Sequence, residues 1–416
     1  MLIYPKLGPW TKGMNTLKRA ETLEDEEARN IVNFDIDDAG KARVRQGRTK
    51  VYAGNIVKDT FWSEGDISLF VEDGDLKILN TDFTATLLRS GVGYSPMRYV
   101  VVNNVVYYTN GVVTGIVRDG LNEPWGVIAP SQQPALSAAN SSGSLSAGVY
   151  QVAVTFISPT GEESGTGLSA EVEVEAGGSI ELSAIPQPPA GHTMRIYVSA
   201  ANGEKLHSLV QLIPGQVFYR ITSVANQTSR VLETQFGMAP PPGTQLEYHD
   251  GMIFIVDGNV VWHTEPLRYG LVKRMKAFFL FGGPVTMIKS VQDGLFIAAD
   301  KTYFLVGIGT DELELRDVLP YGAIDCQPIE IERTTEGVIR IAWWSERGIC
   351  VGERGGVVTN LMEDKVAVSK FNRGALLFRE YDGIRQIIAC LQDGTESTYA
   401  ASDYVTDETA RRGNAI

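Results

Sequence analysis

The chain has 416 residues, 44% hydrophobic and 21% charged, a composition of folded globular proteins and a length beyond one ordinary core. Its 50 acidic residues against 37 basic ones leave a formal net charge of −13. That balance excludes a protein that grips nucleic acid through a basic surface, while an acidic wall past which a polyanion slides stays open. Cys326, Cys350 and Cys390 are odd in number, widely spaced and without a Cys-x-x-Cys pair, so neither a disulfide framework nor a zinc knuckle is expected. Reduced thiols and assembly in a cytoplasm follow from that expectation. Met1 to Lys6 lacks a basic segment leading into an apolar core, so no signal peptide is read. The longest apolar runs, such as Met252–Val256 and Ala277–Phe281, are too short to span a bilayer, and no membrane insertion is expected.

Residues 1–29 read as an extended N-terminal arm. Pro5, Gly8, Pro9 and Gly13 break regular structure, while Tyr4, Trp10 and Met14 stand as isolated apolar anchors. Such an arm has no core of its own, so its order must come from lying on its own domain or on a neighbouring subunit. The three anchors are therefore candidate subunit-interface residues. A first hairpin is predicted from Ile31–Ile36, turning at Asp38-Ala-Gly40 and returning through Ala42–Arg45. Lys41, Arg43 and Arg45 alternate along the return strand, share one face and join the candidate interface.

From there the chain repeats strand–turn–strand units. Asp73-Gly74 and Asn103-Asn104 each sit between apolar β-formers, and Gly251, Gly294, Gly337 and Gly383 close later turns in Asp-Gly or Glu-Gly pairs. Asp-Gly and Asn-Gly pairs supply the positive φ of a tight hairpin, and a period of about 40–50 residues is that of propeller blades. The expectation is an all-β, six- or seven-bladed β-propeller built from 30–130 and 239–402, followed by a C-terminal tail at 403–416. Pairing of Thr398–Ala401 with Ile31–Ile36 would close its last blade.

The period breaks once. Pro130 and Pro134 lead into residues 131–238, and Pro240-Pro-Pro-Gly243 leads out. Between them lie about seven short strands at roughly ten-residue spacing, which predicts an inserted β-sandwich. Val149, Gln151, Ala153, Thr155 and Ile157 share one face of its longest strand. Tyr150–Phe156, Gly161-Glu-Glu-Ser164 and Met194–Ser199 resemble a fibronectin type III domain.

The search for chemistry finds no phosphate loop, dinucleotide fingerprint or nucleophile elbow. No enzyme activity, cofactor or metal is expected, and no catalytic residue is assigned. His192, His207, His249 and His263 lack metal-ligand spacing, although His249 and His263 flank one hairpin and could face each other. Asp35-Ile-Asp37-Asp38 and Asp73-Gly-Asp75 read as turns rather than calcium loops. Trp343-Trp344 puts one indole on each side of a strand, one for the core and one as a possible interface anchor.

Three segments together resemble a family of phage tail proteins. They are Gly13-Met-Asn15 through Ala28-Arg-Asn30, Asn33-Phe-Asp35-Ile-Asp37, Gly40 and Arg45-x-Gly47; Tyr248–Asn259 with Trp262 and Glu265-Pro266; and Tyr321-Gly-Ala323 leading to Trp344–Gly348. The family comprises tail nozzle or hub β-propellers of short-tailed bacteriophages. The resemblance implies a virion protein, assembled in the host cytoplasm as a ring of itself, six copies by analogy. Such a ring would sit below the portal and the adaptor, or head–tail connector. It would retain packaged double-stranded DNA, pass it without specific binding during ejection, and dock tail fibres or other tail parts. The alternative is a virion propeller that binds a glycan receptor.

Overall fold

A computed structural model describes residues 9–393, apart from 33, 38, 46, 48, 64–66, 309–312, 334–337, 364–370 and 382–383. Tyr4, the turns at Glu336-Gly337 and Asp382-Gly383, the strand at Thr398–Ala401 and the tail lie outside the described residues. The chain is all-β and of the β-propeller class, with an inserted β-sandwich. Among the described residues it holds five four-stranded antiparallel meanders, whose strands are sheet neighbours in chain order. Among the described residues no helix is long and apolar enough to cross a membrane.

The turns show why meanders form. At Asp73-Gly74, Asn103-Asn104 and Asp250-Gly251 both turn residues have positive φ, between 45° and 81°. A two-residue turn of that kind matches the right-handed twist of the strands it joins. Asp293-Gly294 departs from the expectation. Val291 pairs with Gly294, so the turn residues are Gln292 and Asp293, and Gly294 begins the next strand. A Cβ there would meet the Leu305 carbonyl at 2.4 Å, so close strand packing, not turn geometry, requires that glycine.

The second strand of a meander carries most of its burial. Met252–Asp257 and Gly294–Ala298 are buried almost throughout, and Ile339–Ser345 is buried from Ile341 on. Continuous apolar runs of this kind have both faces covered, unlike the alternating strand of a half-solvated sheet.

Two compact units divide the chain: 1–97 with 281–416, and 98–280. In the first, the meander at Val57–Arg89 is followed, after the excursion of the second unit, by those at Met287–Leu319 and Ile329–Asn360. A further sheet joins Asp325–Gln327, Phe371–Tyr381 and Ile384–Asp393. Their core centres on Met287, Phe296, Phe304, Ile341, Trp343 and Trp344. Both indoles are therefore core: Trp343 is 0% exposed and Trp344 is 6% exposed. Trp343 packs on Phe296 at 5.4 Å, and Trp344 meets Phe371 edge-on at 6.1 Å. This corrects the interface role expected for the second ring, because the Phe371–Tyr381 sheet covers the side of the strand the sequence left open.

In the second unit, the meanders at Arg98–Glu123 and Gln245–Leu280 pack on each other through Val102, Tyr107, Trp125, Leu246, Ile253 and Ile255. His249 and His263 do not face each other, which corrects that expectation. The Met252–Asp257 strand runs between theirs, pairing Met252 with His249 and Phe254 with His263. His263 packs between Phe254 and Phe279, each ring at 5.8 Å, and burial lowers its pKa.

Between these two meanders lie the sandwich sheets, a three-stranded one (Ala135–Ala139, Ser179–Ser183, Tyr219–Ile221) and a four-stranded one. The four-stranded sheet orders Ala170–Val174, Gly148–Ile157, Thr193–Ser199 and Leu206–Leu212. Tyr150, Val152, Val154 and Phe156 point into the sandwich core. The face singled out in the sequence is the opposite one, where Ala153 packs with Tyr197, Leu206 and Leu232.

The chain leaves and re-enters at one place. A Cβ on Gly126 would lie 2.9 Å from Pro240 Cδ. Nearby, Thr109 Oγ1 accepts the Gly243 N–H at 2.8 Å. Excising 131–238 and joining the ends with a short glycine–serine linker should therefore preserve a cooperative melt and β-type circular dichroism. Collapse to an aggregating state would show that the sandwich supports the meanders instead.

Candidate functional site

Of the candidate interface residues, Trp10, Lys41, Arg43 and Arg45 lie at the first hairpin, Phe34–Ile36 with Ala42–Val44. Asp37 Oδ1 accepts the N–H groups of Ala39 and Lys41 at 3.1 and 2.9 Å, which fixes the turn. Trp10 donates its N–H to the Gly40 carbonyl at 2.9 Å and lines a hollow of about 210 Å³ with Ile31, Val32 and Phe34. Gly40 has φ +76°, and a Cβ there would fall 2.8 Å from Pro9 and Trp10, so the arm rests directly on the turn. Residues 13–14, with Met14, pair in parallel with 27–28, closing 9–29 into a loop. Asn15 and Lys18 bind Glu27 inside it at 2.8 and 3.0 Å.

Two of the hairpin's three basic residues engage acids of the same chain. Arg43 lies 3.9 Å from Asp37, and Arg45 Nε donates to Asp35 at 3.0 Å. Asp35 is buried, and it also accepts Gln386 Nε2 at 3.1 Å and faces Arg379 at 3.7 Å. Those two partners stand about 350 residues further on, so one carboxylate ties the start of the chain to its last described strands. Burial alone would raise its pKa. Hydrogen bonds from Gln386 and Arg45, with the charges of Arg45 and Arg379, outweigh burial and hold it below the ordinary aspartate value.

A larger concavity, about 630 Å³, opens in the second unit. Three segments build most of it: the 158–163 turn of the sandwich, the irregular 229–234 segment, which bridges to His207 through Val231, and the 265–271 turn after Val260–His263. Ser158 Oγ accepts the Glu162 N–H at 3.0 Å and Ser158 N–H donates to the Glu162 carbonyl at 2.8 Å, setting the first turn. Glu163 is the structural acid of the pair. Its carboxylate accepts Thr155 Oγ1 and Arg230 Nη2 at 2.6 Å, Tyr197 OH at 2.7 Å and Arg195 Nη1 at 3.3 Å. Arg268 is likewise paired with Glu233 at 2.7 Å.

Glu162 differs from both. Among the described residues no hydrogen bond or ion pair reaches its carboxylate, which lies over the backbone of Gly270. A Cβ on Gly270 would stand 3.0 Å from Glu162 Oε2, so the missing side chain makes room for the acid. Glu162 is nevertheless an exposed residue, and the partial loss of hydration at the cleft wall raises its pKa, with Arg118 opposing that shift and Glu123 adding to it. Tyr107 beside it is pushed up to about 12, by burial first and then by the Glu162 charge. Tyr269 stands edge-on to Tyr107 at 5.9 Å and its carbonyl accepts Trp125 Nε1 at 2.7 Å.

Glu162 and Gly270 lie more than a hundred residues apart, and no local signal brings them together. These two residues meet where the insertion returns beside its point of departure. Among the described residues no group of three or more metal-ligating side chains is found.

No family model and no curated protein matches the chain. Solved structures similar to it include BBS1N in complex with ARL6DN, at 11% identity and TM-score 0.34, over 82% of this chain and 90% of that one. PorZ, an essential bacterial surface component of the type-IX secretion system of Porphyromonas gingivalis, is similar at 12% identity and TM-score 0.23, over 78% and 44%. The dihydro-heme d1 dehydrogenase NirN in complex with DHE is similar at 11% identity and TM-score 0.23, over 79% and 72%. Likenesses of this size transfer no residue, ligand or partner.

Asp35 gives a test of the chain-end joint. Its depressed native pKa means that its contribution is complete above the unfolded value of about 3.9 and is lost as pH falls through the native one. Asp35→Asn should cost about 1.5–3 kcal/mol at pH 7, the range for hydrogen bonds to a charged group. In urea unfolding the gap between wild type and variant should shrink as the pH is lowered below 4. A gap unchanged across that range would remove the ionised carboxylate from the joint.

Proposed function

We propose that this chain is a structural protein of a short-tailed phage tail, a nozzle or hub subunit that forms a ring continuing the DNA channel. One observation carries the reading. The segments that resemble the tail family hold the architectural joints of the fold, not a reactive centre. Asp35, Asp37, Gly40 and Arg45 build the first hairpin and its tie to Gln386 and Arg379. Trp262 packs on Phe278 at 5.4 Å, and the Glu265 N–H donates to the Leu271 carbonyl. Ala323 bridges to Ser345, and the Arg347 guanidinium lies 4.6 Å over the Tyr321 ring. Residues used in this way are what an assembly subunit needs and what a catalyst does not.

Charge supports the same reading. Each Lys or Arg contact with phosphate releases counterions and adds affinity that would slow a passing duplex. With 50 acidic residues against 37 basic ones, a lumen can be lined without such contacts. Partners on this reading are further copies of the chain, the adaptor above, and fibres or other tail proteins.

Electron microscopy of the purified protein should show closed rings, six-fold on this reading, and labelling should place it in the tail of the virion. Mobility shift at near-physiological salt should detect no duplex DNA binding. Tight, steeply salt-dependent DNA binding would sink the conduit, and saturable binding to a host polysaccharide would favour a receptor-binding protein.

A further inference from the structure

Two strand edges of the second unit have no neighbouring strand among the described residues, and they carry opposite charge. The strand Ala170–Val174 ends the four-stranded sandwich sheet, and Phe278–Leu280 ends the meander begun at Gln245. A bare edge is a template for any other strand, and the charge it carries decides what is admitted.

The first edge is acidic. Val172 and Val174 turn toward the sandwich core, so Glu171 and Glu173 take the outer face, and Glu175 continues the alternation. All three are exposed, and none has an ion pair or side-chain hydrogen bond among the described residues. Val149 stands opposite Glu173 in the neighbouring strand, and Leu168, just before the edge strand, is 75% exposed. Two edges of this kind repel each other.

The second edge is entered through a basic turn. Lys276 and Ala277 donate their N–H groups to the Lys273 carbonyl at 3.1 and 2.8 Å, and the Arg274 N–H donates to the Phe236 carbonyl at 3.1 Å. The turn so fixed presents Arg274, Met275 and Lys276 to solvent, with Met275 75% exposed. Arg118, Arg220, Arg230 and Arg268 of the same unit each pair with a glutamate. Arg274 and Lys276 have no such partner among the described residues, in a chain with 50 acids to 37 bases.

We propose that these two edges meet between copies of the chain. Glu171, Glu173 and Glu175 of one copy lie against the Arg274–Lys276 turn of the next, with Leu168 and Val149 beside Met275. Charge selects this occupant. Copies with a net charge of −13 repel unless a cationic surface on one faces an acidic surface on the other. Here both surfaces are unpaired within the chain, and both carry exposed apolar side chains among their charges. The contact joins different surfaces of two copies, so it is heterologous and propagates into a ring or a filament rather than stopping at a dimer. It rests on the ring reading in one respect, that copies of the chain associate, and it names the surfaces they use.

Sedimentation velocity of the full chain tests it with two charge-reversed variants. Glu171→Lys/Glu173→Lys/Glu175→Lys and Arg274→Glu/Lys276→Glu should each melt like wild type. Each should weaken association by about a hundredfold, as where like charges are juxtaposed. The lysine variant is less acidic overall, which by itself would favour association, so its loss marks a local contact. Mixed in equal amounts, the two variants should co-assemble, because each reversed surface then meets its complement on the other. Wild-type association should weaken as salt rises. A wild type monomeric at every concentration would overturn the contact and the ring together. Oligomers that both variants retain, or variants that stay monomeric when mixed, would overturn the contact and leave the ring standing. Binding to anionic lipid vesicles, lost only in Arg274→Glu/Lys276→Glu, would assign the turn to a membrane surface instead.

Discussion

Second strands that are apolar on both faces impose the constraint on which the rest of this fold depends. Met252–Val256, Gly294–Ala298 and Ile341–Trp344 leave no side for water. A sheet with such a strand cannot stand alone, because each uncovered face would expose several large side chains at about 1.5–3 kcal/mol apiece. Sheets must therefore stack. Ile253 and Ile255 reach the Arg98–Glu123 meander in one unit, while Phe296 and Trp343 join their two meanders in the other. Tight two-residue turns make this possible by returning each strand beside its neighbour within a few residues.

Stacking apolar sheets fixes little about which segment lies where, and polar joints supply that specificity. Asp35 links residues at opposite ends of the chain, and Thr109 binds Gly243 where the insertion returns. Glu163 gathers Thr155, Tyr197, Arg195 and Arg230 from three places in the insertion. Each is a buried acceptor or hydroxyl that goes unsatisfied if the wrong segment arrives, so a misplaced chain loses more than a contact. The tail-like sequence segments include the first of these joints, which is why they read as a pattern without reading as an active site.

The cleft shows the complementary principle. Its shape arises because an insertion must leave and re-enter one meander pair, and the Gly126–Gly270 backbone contact fixes where this happens. Side chains from three segments then face each other without being selected by any local rule. Two of the acids found partners there and one did not.

Local rules made much of this protein legible. The period of the turns, the alternation of the insertion and its proline-rich borders are written in short stretches, because hairpin geometry and strand faces depend on residues a few positions apart. Those rules also misplaced the Asp293-Gly294 turn by one residue, since a glycine needed for strand packing looks the same as one needed for positive φ. The second indole of Trp343-Trp344 and the supposed facing of His249 and His263 failed for a different reason. What covers a strand face is decided by segments far away: Phe371 for Trp344, and the Met252–Asp257 strand between the two histidines. The partners of Asp35 and Glu163 are decided in the same way. Sequence settled the kind of element at each position, and tertiary structure alone decided which distant side chain completes each buried charge, because that choice depends on three-dimensional proximity that no local spacing encodes.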